Sequence, residues 1–317
     1  MIHDPAVLLD DVSQRLKTEL GVELTGSNLL DRRYFSHIYE LLGTSAEGEK
    51  RYVLKLSTTE RSCQGEYRMY LELNRLGVRT LTPVLFSGSH NYLVTVKEEL
   101  RDLPEVLRSV GSIEEISGYF FRLGRFLKDV EEKTRREAHF DKEAFDAYLA
   151  PRIQQMASVT QRDKDLLWRR TAALTATLDH KPELHCLVSD YNLGNLHLDA
   201  EQQFVLLDLG DAYNGSSCSN LAAVYLSLKF GPLQQYLEKR QLTARYFSAF
   251  LEGFGTAAPG QPEFLVYLIR DLVCMILFVE QHPSGSNNPV RRLMSRASNH
   301  YQAARYWSYL RSLTEDV

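Results

Sequence analysis

VSDYNLGNLHLDAEQQFVLLDLGDAYNG, residues 188–215, sets an acid and two amides in a short turn-rich stretch and follows them with an apolar run that ends in a second acid. Asp190, Asn192 and Asn195 fall within six positions, beside Gly194. Asn, Asp and Gly all accept left-handed backbone and cap themselves locally, so a surface turn is the simplest reading of the first half. The second half adds to it. FVLLDL (204–209) has the apolar character of a buried strand, and Asp208 stands near its end, just before Gly210. With HCLVS (185–189) and NLHL (195–198), the segment reads as strand, loop, strand, turn, strand, a path that returns the second acid beside the loop.

Those residue types have a chemistry. An ionised aspartate accepts a proton from an attacking hydroxyl, while an amide oxygen and a second carboxylate can hold magnesium against phosphate oxygens. A catalytic Asp, an Asn in the same loop and a later strand-end Asp are the parts that phosphoryl transfer uses. D-x-x-x-x-N alone is common by chance. The second acid, thirteen residues after Asn195, and the helical surroundings favour the catalytic reading.

The rest of the chain sets the frame. At 317 residues, with 44% hydrophobic and 25% charged residues, the composition is that of a globular protein of one large or two modest domains. A net charge of -4 gives no electrostatic case for a nucleic-acid partner. Cys63, Cys186, Cys218 and Cys274 form no CxxC pair, so four reduced thiols in a cytoplasmic protein is the simplest reading. Residues 1–21 carry acids where an export signal needs a basic leader. The most apolar run, 264–280, is broken by Arg270 and Asp271 and reads as a buried core helix, so no membrane partner is implied.

Organisation changes near residue 100. Val7, Leu8, Val12, Leu16 and Leu20 predict an amphipathic opening helix. SHIYELLG (36–43), KRYVLKLS (50–57) and NYLVTVKE (91–98) predict strands, the first two joined as a hairpin. RSCQGEYRMYLELNRLG (61–77) predicts a helix ending at Gly77. Beyond residue 100 long helices dominate, one over 112–136 with Ile116, Phe120, Leu123, Leu127 and Val130 on one side, and another at the C-terminal end.

On these residues the chain resembles the aminoglycoside phosphotransferase and choline kinase family of the protein-kinase-like fold, as a distant member. Stretch 188–215 is similar to the family's H-G-D-x-x-x-x-N, strand, I-D-[WFL]-[GE]-D/x-A pattern, LGRFLKDVEE (123–132) to its L-G-x-x-L-A-x-L-H helix, and AYNGSSCSNLAAV (212–224) to its segment ending D-L-A. Val188, Ser189, Glu131 and Asn220 depart from the family's His, Gly, His and Asp. The resemblance implies an α+β, bilobal fold: an N-lobe over residues 1–100 with a small mixed β-sheet, and a larger, mainly helical C-lobe over 101–317 with the catalytic loop and acceptor site. It implies ATP and Mg2+ as cofactors, Asp190 as catalytic base, and Asn195 and Asp208 as metal ligands.

It also implies a strand lysine on the nucleotide phosphates and a helix glutamate that holds it. Lys55 in YVLKL and Glu66 on the next helix fit, with Glu60 and Glu72 as fallback partners. DRRYFSHIYEL (31–41) stands where the family has its phosphate loop, so backbone amides of Phe35, Ser36 and His37 are expected near the phosphates, although the stretch has no glycine. Main-chain groups around Val96 to Glu98 are expected on the adenine. The acceptor is expected to be a small molecule with a hydroxyl, aminoglycoside, amino alcohol or sugar-like, with Asp141, Asp146, Tyr148, Asp211, Tyr213 and Glu280 as possible contacts. Two other readings stay open. One is a catalytically inactive nucleotide-binding regulator, favoured by Val188 and the missing glycines; the other is a protein kinase, disfavoured because no A-P-E-like element follows Asp208. Oligomeric state is not legible.

Overall fold

Side chains alternate between the two faces of a strand, and that alternation organises the first half of the molecule. The computed structural model describes residues 5–32, 36–57, 60–231, 242–256, 260–281 and 289–315. Strands β1 (Glu23–Arg32), β2 (Ser36–Ser45), β3 (Gly48–Ser57), β4 (Pro83–Ser87) and β5 (Tyr92–Val96) form one sheet in the order β1-β2-β3-β5-β4. Each of its ladders is antiparallel. Leu41, Tyr52, Leu54 and Val94 lie on one face and close an apolar cluster with Leu8, Val12 and Leu16 of helix α1 (Pro5–Leu20). The opposite parity, Val53 and Lys55 of β3 across from Thr95 and Leu93 of β5, belongs to the other face.

The sequence carries little sign of β1 and β4. Gly26, Ser27, Asn28 and Asp31 break the apolar pattern of β1, and its pairing with β2 shifts register twice. β4 is five residues long and opens on a proline, which an edge strand tolerates because one side of it needs no partner. Both are the edges of the sheet.

Helix α2 (Glu60–Arg75) follows β3. Its buried residues are Cys63, Glu66, Tyr70 and Leu73, a 3-4-3 spacing that marks one helical stripe. An acid therefore sits on the core-facing side.

Next come β6 (Arg101–Asp102), α3 (Leu103–Ser109) and α4 (Ile113–Thr134), which buries Ile116, Phe120, Leu123, Leu127 and Val130 as its spacing predicts. Helix α8 (Thr243–Phe254) crosses α4 backbone to backbone. A Cβ on Gly124 would stand 2.1 Å from the Phe250 carbonyl oxygen, and one on Gly253 would stand 2.0 Å from that of Phe121. The glycine of the L-G-x-x-L pattern is thus a packing requirement. Stacking of Phe120 on Tyr246, with centroids 5.3 Å apart, continues the same contact.

The chain folds into two units: residues 1–133, 189–213 and 231–254 form one, and 134–188, 214–230 and 255–317 the other. The first holds the sheet, α1 to α4, α8 and a hairpin of β9 (Leu196–Leu198) and β10 (Phe204–Leu206), to which β6 adds a third strand. The second is mainly helical. It contains β7 (Arg136–His139), α5 (Lys142–Gln155), α6 (Gln161–Leu178), β8 (Pro182–Val188), β11 (Tyr213–Ser216), α7 (Ser217–Phe230), α9 (Pro262–Gln281) and α10 (Pro289–Glu315). The apolar run 264–280 lies within α9, as expected of a core helix, and its Arg270 and Asp271 pair at 2.6 Å. Among the described residues no helix is long and apolar enough to cross a membrane.

Candidate active site

The loop after β8 folds by local hydrogen bonds that its sequence supplies. Asn192 accepts from the Gly194 N–H at 3.1 Å and so caps a single 3-10 turn, Leu193–Asn195. One oxygen of Asp190 accepts from the Asn192 N–H at 3.3 Å, and the other from Asn195 Nδ2 at 3.0 Å. Asn195 Nδ2 also donates to the Asp190 carbonyl at 3.0 Å. The amide nitrogen is therefore spent on Asp190, which leaves the Asn195 oxygen as the atom that can accept a hydrogen bond or ligate a cation. Partial removal from water pushes the Asp190 carboxyl above the usual aspartate range. The Asn192 N–H opposes this rise, the Asp208 carboxylate adds to it, and Asn195 opposes it again.

The second acid arrives by the β9–β10 hairpin. Asp208 takes φ of +56°, a left-handed conformation that Asp tolerates better than most side chains, so the chain turns sharply past the end of β10. Its Oδ1 accepts from Lys55 Nζ at 2.6 Å, and Glu66 Oε2 accepts from the same ammonium at 2.7 Å. Lys55 and Glu66 thus form the expected pair, and Glu72 is exposed and takes no part in it. The Glu60 side chain lies outside the described residues. Burial acts to lower the Lys55 pKa, but the carboxylates of Glu66 and Asp208 more than offset it and hold the amine charged. Glu66 is only 3% exposed, and burial raises its carboxyl against the pull of Lys55. That buried charge is tolerable because it is paired and fully hydrogen-bonded.

Tyr70 completes the bonding, a role that its place in the helix pattern does not by itself reveal. Its hydroxyl donates to Glu66 Oε1 at 2.9 Å and accepts from the Asp208 N–H at 3.2 Å. Four residues after Glu66 is the spacing of one helical stripe, so the contact was legible once the stripe was known.

Lys55, Glu66, Tyr70, Asn195 and Asp208 line one cavity of about 170 Å³, along with Thr95 and His197, two further residues without a sequence signal. Asp190 adjoins it through Asn195. Ser36 and His37 stand at the start of β2, opposite Ser57 and Leu56 of β3, and Phe35 lies outside the described residues. Val96 donates its N–H to the Thr82 carbonyl at 2.9 Å, and the Glu98 carboxylate accepts from Arg79 Nη2 at 2.6 Å. None of these last four, Ser36, His37, Val96 and Glu98, lines the cavity.

Three acids considered for the acceptor do structural work in their own unit. Asp141 caps α5 by accepting from the Ala144 N–H, Asp146 is held by Lys142 and Thr175, and Glu280 accepts from the Ala157 and Ser158 N–H groups at 2.8 Å each. Tyr148, Asp211 and Tyr213 remain exposed.

The departures from the family pattern have physical explanations. Val188 is buried at the end of β8, where an apolar residue packs well. Glu131 is buried on α4 and accepts from Lys128 Nζ at 2.7 Å. Asn220 of α7 donates its amide to the Leu187 carbonyl at 2.8 Å. An ionised aspartate has no proton to give there, so asparagine suits this site.

A sequence profile described as the phosphotransferase enzyme family matches residues 35–260 of the chain. No curated protein matches the sequence. Among solved structures, the fold is similar to that of the choline kinase LicA from Streptococcus pneumoniae, with a TM-score of 0.60, 14% identity, and coverage of 95% of this chain and 100% of that one. It is similar also to the aminoglycoside phosphotransferase APH(2'')-Ib with ADP bound, with a TM-score of 0.59, 15% identity and coverage of 95% and 98%. The spectinomycin phosphotransferase APH(9)-Ia, in complex with ADP and spectinomycin, gives 0.61, 11% identity and coverage of 94% and 98%. These likenesses show the protein-kinase-like fold, an antiparallel-sheet N-lobe and a helical C-lobe. With the profile spanning well over half of its length, the chain belongs to the phosphotransferase enzyme family.

Proposed function

We propose that this protein transfers the γ-phosphoryl group of ATP, with magnesium, to a hydroxyl of a small molecule of the aminoglycoside, amino alcohol or sugar-like class. The observation that carries the proposal is the single ammonium of Lys55 within 2.7 Å of both Glu66 and Asp208, in a cavity that Asn195 also lines. In this reading Asp190 orients the acceptor hydroxyl and takes its proton. Lys55 steadies the nucleotide phosphates, and Glu66 with Tyr70 fixes Lys55 in place.

A carboxylate and an amide oxygen suit magnesium, a hard cation that binds a few protein oxygens and fills its remaining positions with water and phosphate. Asn195 and Asp208 are the residues that would hold it. The chemistry the ion supplies when bound is neutralisation of charge on the phosphate oxygens. Asp211 and Tyr213, exposed and a few residues past Asp208, suit an acceptor that is cationic or hydroxylated.

The test is transfer itself. Incubation with γ-labelled ATP, magnesium and a panel of aminoglycosides, amino alcohols and sugars is expected to label at least one acceptor, dependent on the metal. ATP binding without transfer to any acceptor class would instead support the non-catalytic regulator.

A further inference from the structure

We propose that His197, assisted by Thr95, reads the nucleotide base and sets which purine triphosphate this enzyme accepts; the inference rests on the nucleotide-binding reading of the cavity. Lys55, Glu66 and Asp208 gather the charge of the cavity at one end, and Asn195 lines the same cavity while bonded to Asp190. Along the sheet, Lys55 pairs with Leu93 and Val53 with Thr95, so Thr95 lies one same-face step beyond the lysine, roughly 7 Å along the strand. On the hairpin, His197 lies two residues beyond Asn195. Both residues therefore step away from the charged end, one from each wall.

The lining that accompanies them is apolar. Ile38, Val53, Leu81, Leu93 and Leu207 offer surface but no side-chain hydrogen bond. A slot of that composition with one hydroxyl and one imidazole suits a flat heteroaromatic ring whose edge bears donors and acceptors. His197 is also well placed to be selective. Its backbone is fixed in a three-stranded ladder, opposite Val205 of β10 and Asp102 of β6. Its neighbours Leu196 and Leu198 are fully buried on the alternate parity, whereas His197 reaches the cavity. A leucine would fill this strand position without hydrogen-bonding capacity; histidine keeps Nδ1 buried and adds one ring nitrogen, Nε2, that can meet the base.

The experiment is calorimetric titration of ATP, GTP and the triphosphate of unsubstituted purine riboside, with magnesium, into the wild-type chain and into His197→Leu, His197→Gln and Thr95→Val. The wild type is expected to separate the three nucleotides. His197→Leu should weaken the preferred one about tenfold, as for one hydrogen bond lost in a partly buried site, and leave unsubstituted purine nearly unchanged. His197→Gln, which keeps hydrogen-bonding capacity at this position, should recover part of the preference. Equal losses for all three nucleotides, or no loss, would assign His197 to packing alone and overturn the inference. Failure of the wild type to bind any of the three would overturn the nucleotide reading and this inference with it.

Discussion

Asp190→Ala is expected to lower kcat by about 10³-fold or more, the range for removing a positioned general base, while ATP affinity stays close to that of the wild type. The separation follows from geometry. Asp190 contacts its own loop through Asn192 and Asn195, whereas the phosphates are proposed to lie against Lys55 and Asp208, which bond each other. The fold should tolerate the change, because the carboxyl is raised above its ordinary pKa in the folded chain. The sign is definite: a group whose folded pKa is raised contributes stability only while protonated, and at neutral pH its ionised form opposes folding. Thermal melting of Asp190→Ala should stay close to that of the wild type, the relief of the raised carboxyl offsetting the two hydrogen bonds lost from its loop. The same raised pKa places the acid limb of the wild-type kcat/KM profile above the ordinary aspartate range. Stopped-assay rates across pH, with melting curves on the same samples, check all of this; a variant with wild-type turnover would remove Asp190 from the chemistry.

Lys55→Met should strike both stability and activity. Methionine keeps the length and much of the volume of lysine, so packing is nearly preserved and the charge is the main loss. Glu66 then stands 3% exposed with no counter-ion, a situation that destabilises by about 3 kcal/mol. Asp208 loses the contact that holds one of its oxygens at 2.6 Å. Urea denaturation should show the loss of stability, and the KM for ATP should rise along with a fall in kcat. The double variant Lys55→Met/Glu66→Leu separates the two effects. It should regain most of the stability, since the unpaired acid is gone, and none of the activity. A double variant as unstable as the single one would mean that the ion pair is not what the lysine contributes to the fold.

Much of the site was legible because its chemistry is local in sequence. Asp190, Asn192, Gly194 and Asn195 build their loop from their own side chains, so the turn chemistry that suggested a surface loop is also what presents the acid and amide. Lys55 and Glu66 were legible through the resemblance, which implies a strand lysine held by a helix glutamate; taken alone, Glu66 reads as an ordinary helix-surface acid, and the pair is formed in the fold. Helices with long periodic stripes, such as α4 and α9, were read directly. Edge strands were not. β1 carries polar residues and two register shifts, and what holds it is pairing with β2, a nonlocal fact. Tyr70, Thr95 and His197 were missed for the same reason, since each becomes part of the site only when the sheet, α2 and the hairpin are set around one cavity. Asp141, Asp146 and Glu280, expected as possible acceptor contacts, also cap and pair in their own unit, work that acids near helix ends and neighbouring lysines commonly do.

The most direct test is the affinity for ATP measured by titration calorimetry with and without magnesium, in the wild type and in Asp208→Asn. Magnesium is expected to tighten binding several-fold in the wild type and to have no effect in the variant, whose amide supplies no negative charge for the ion. An identical response to magnesium in both proteins would contradict the placement of metal and phosphates at Asn195 and Asp208.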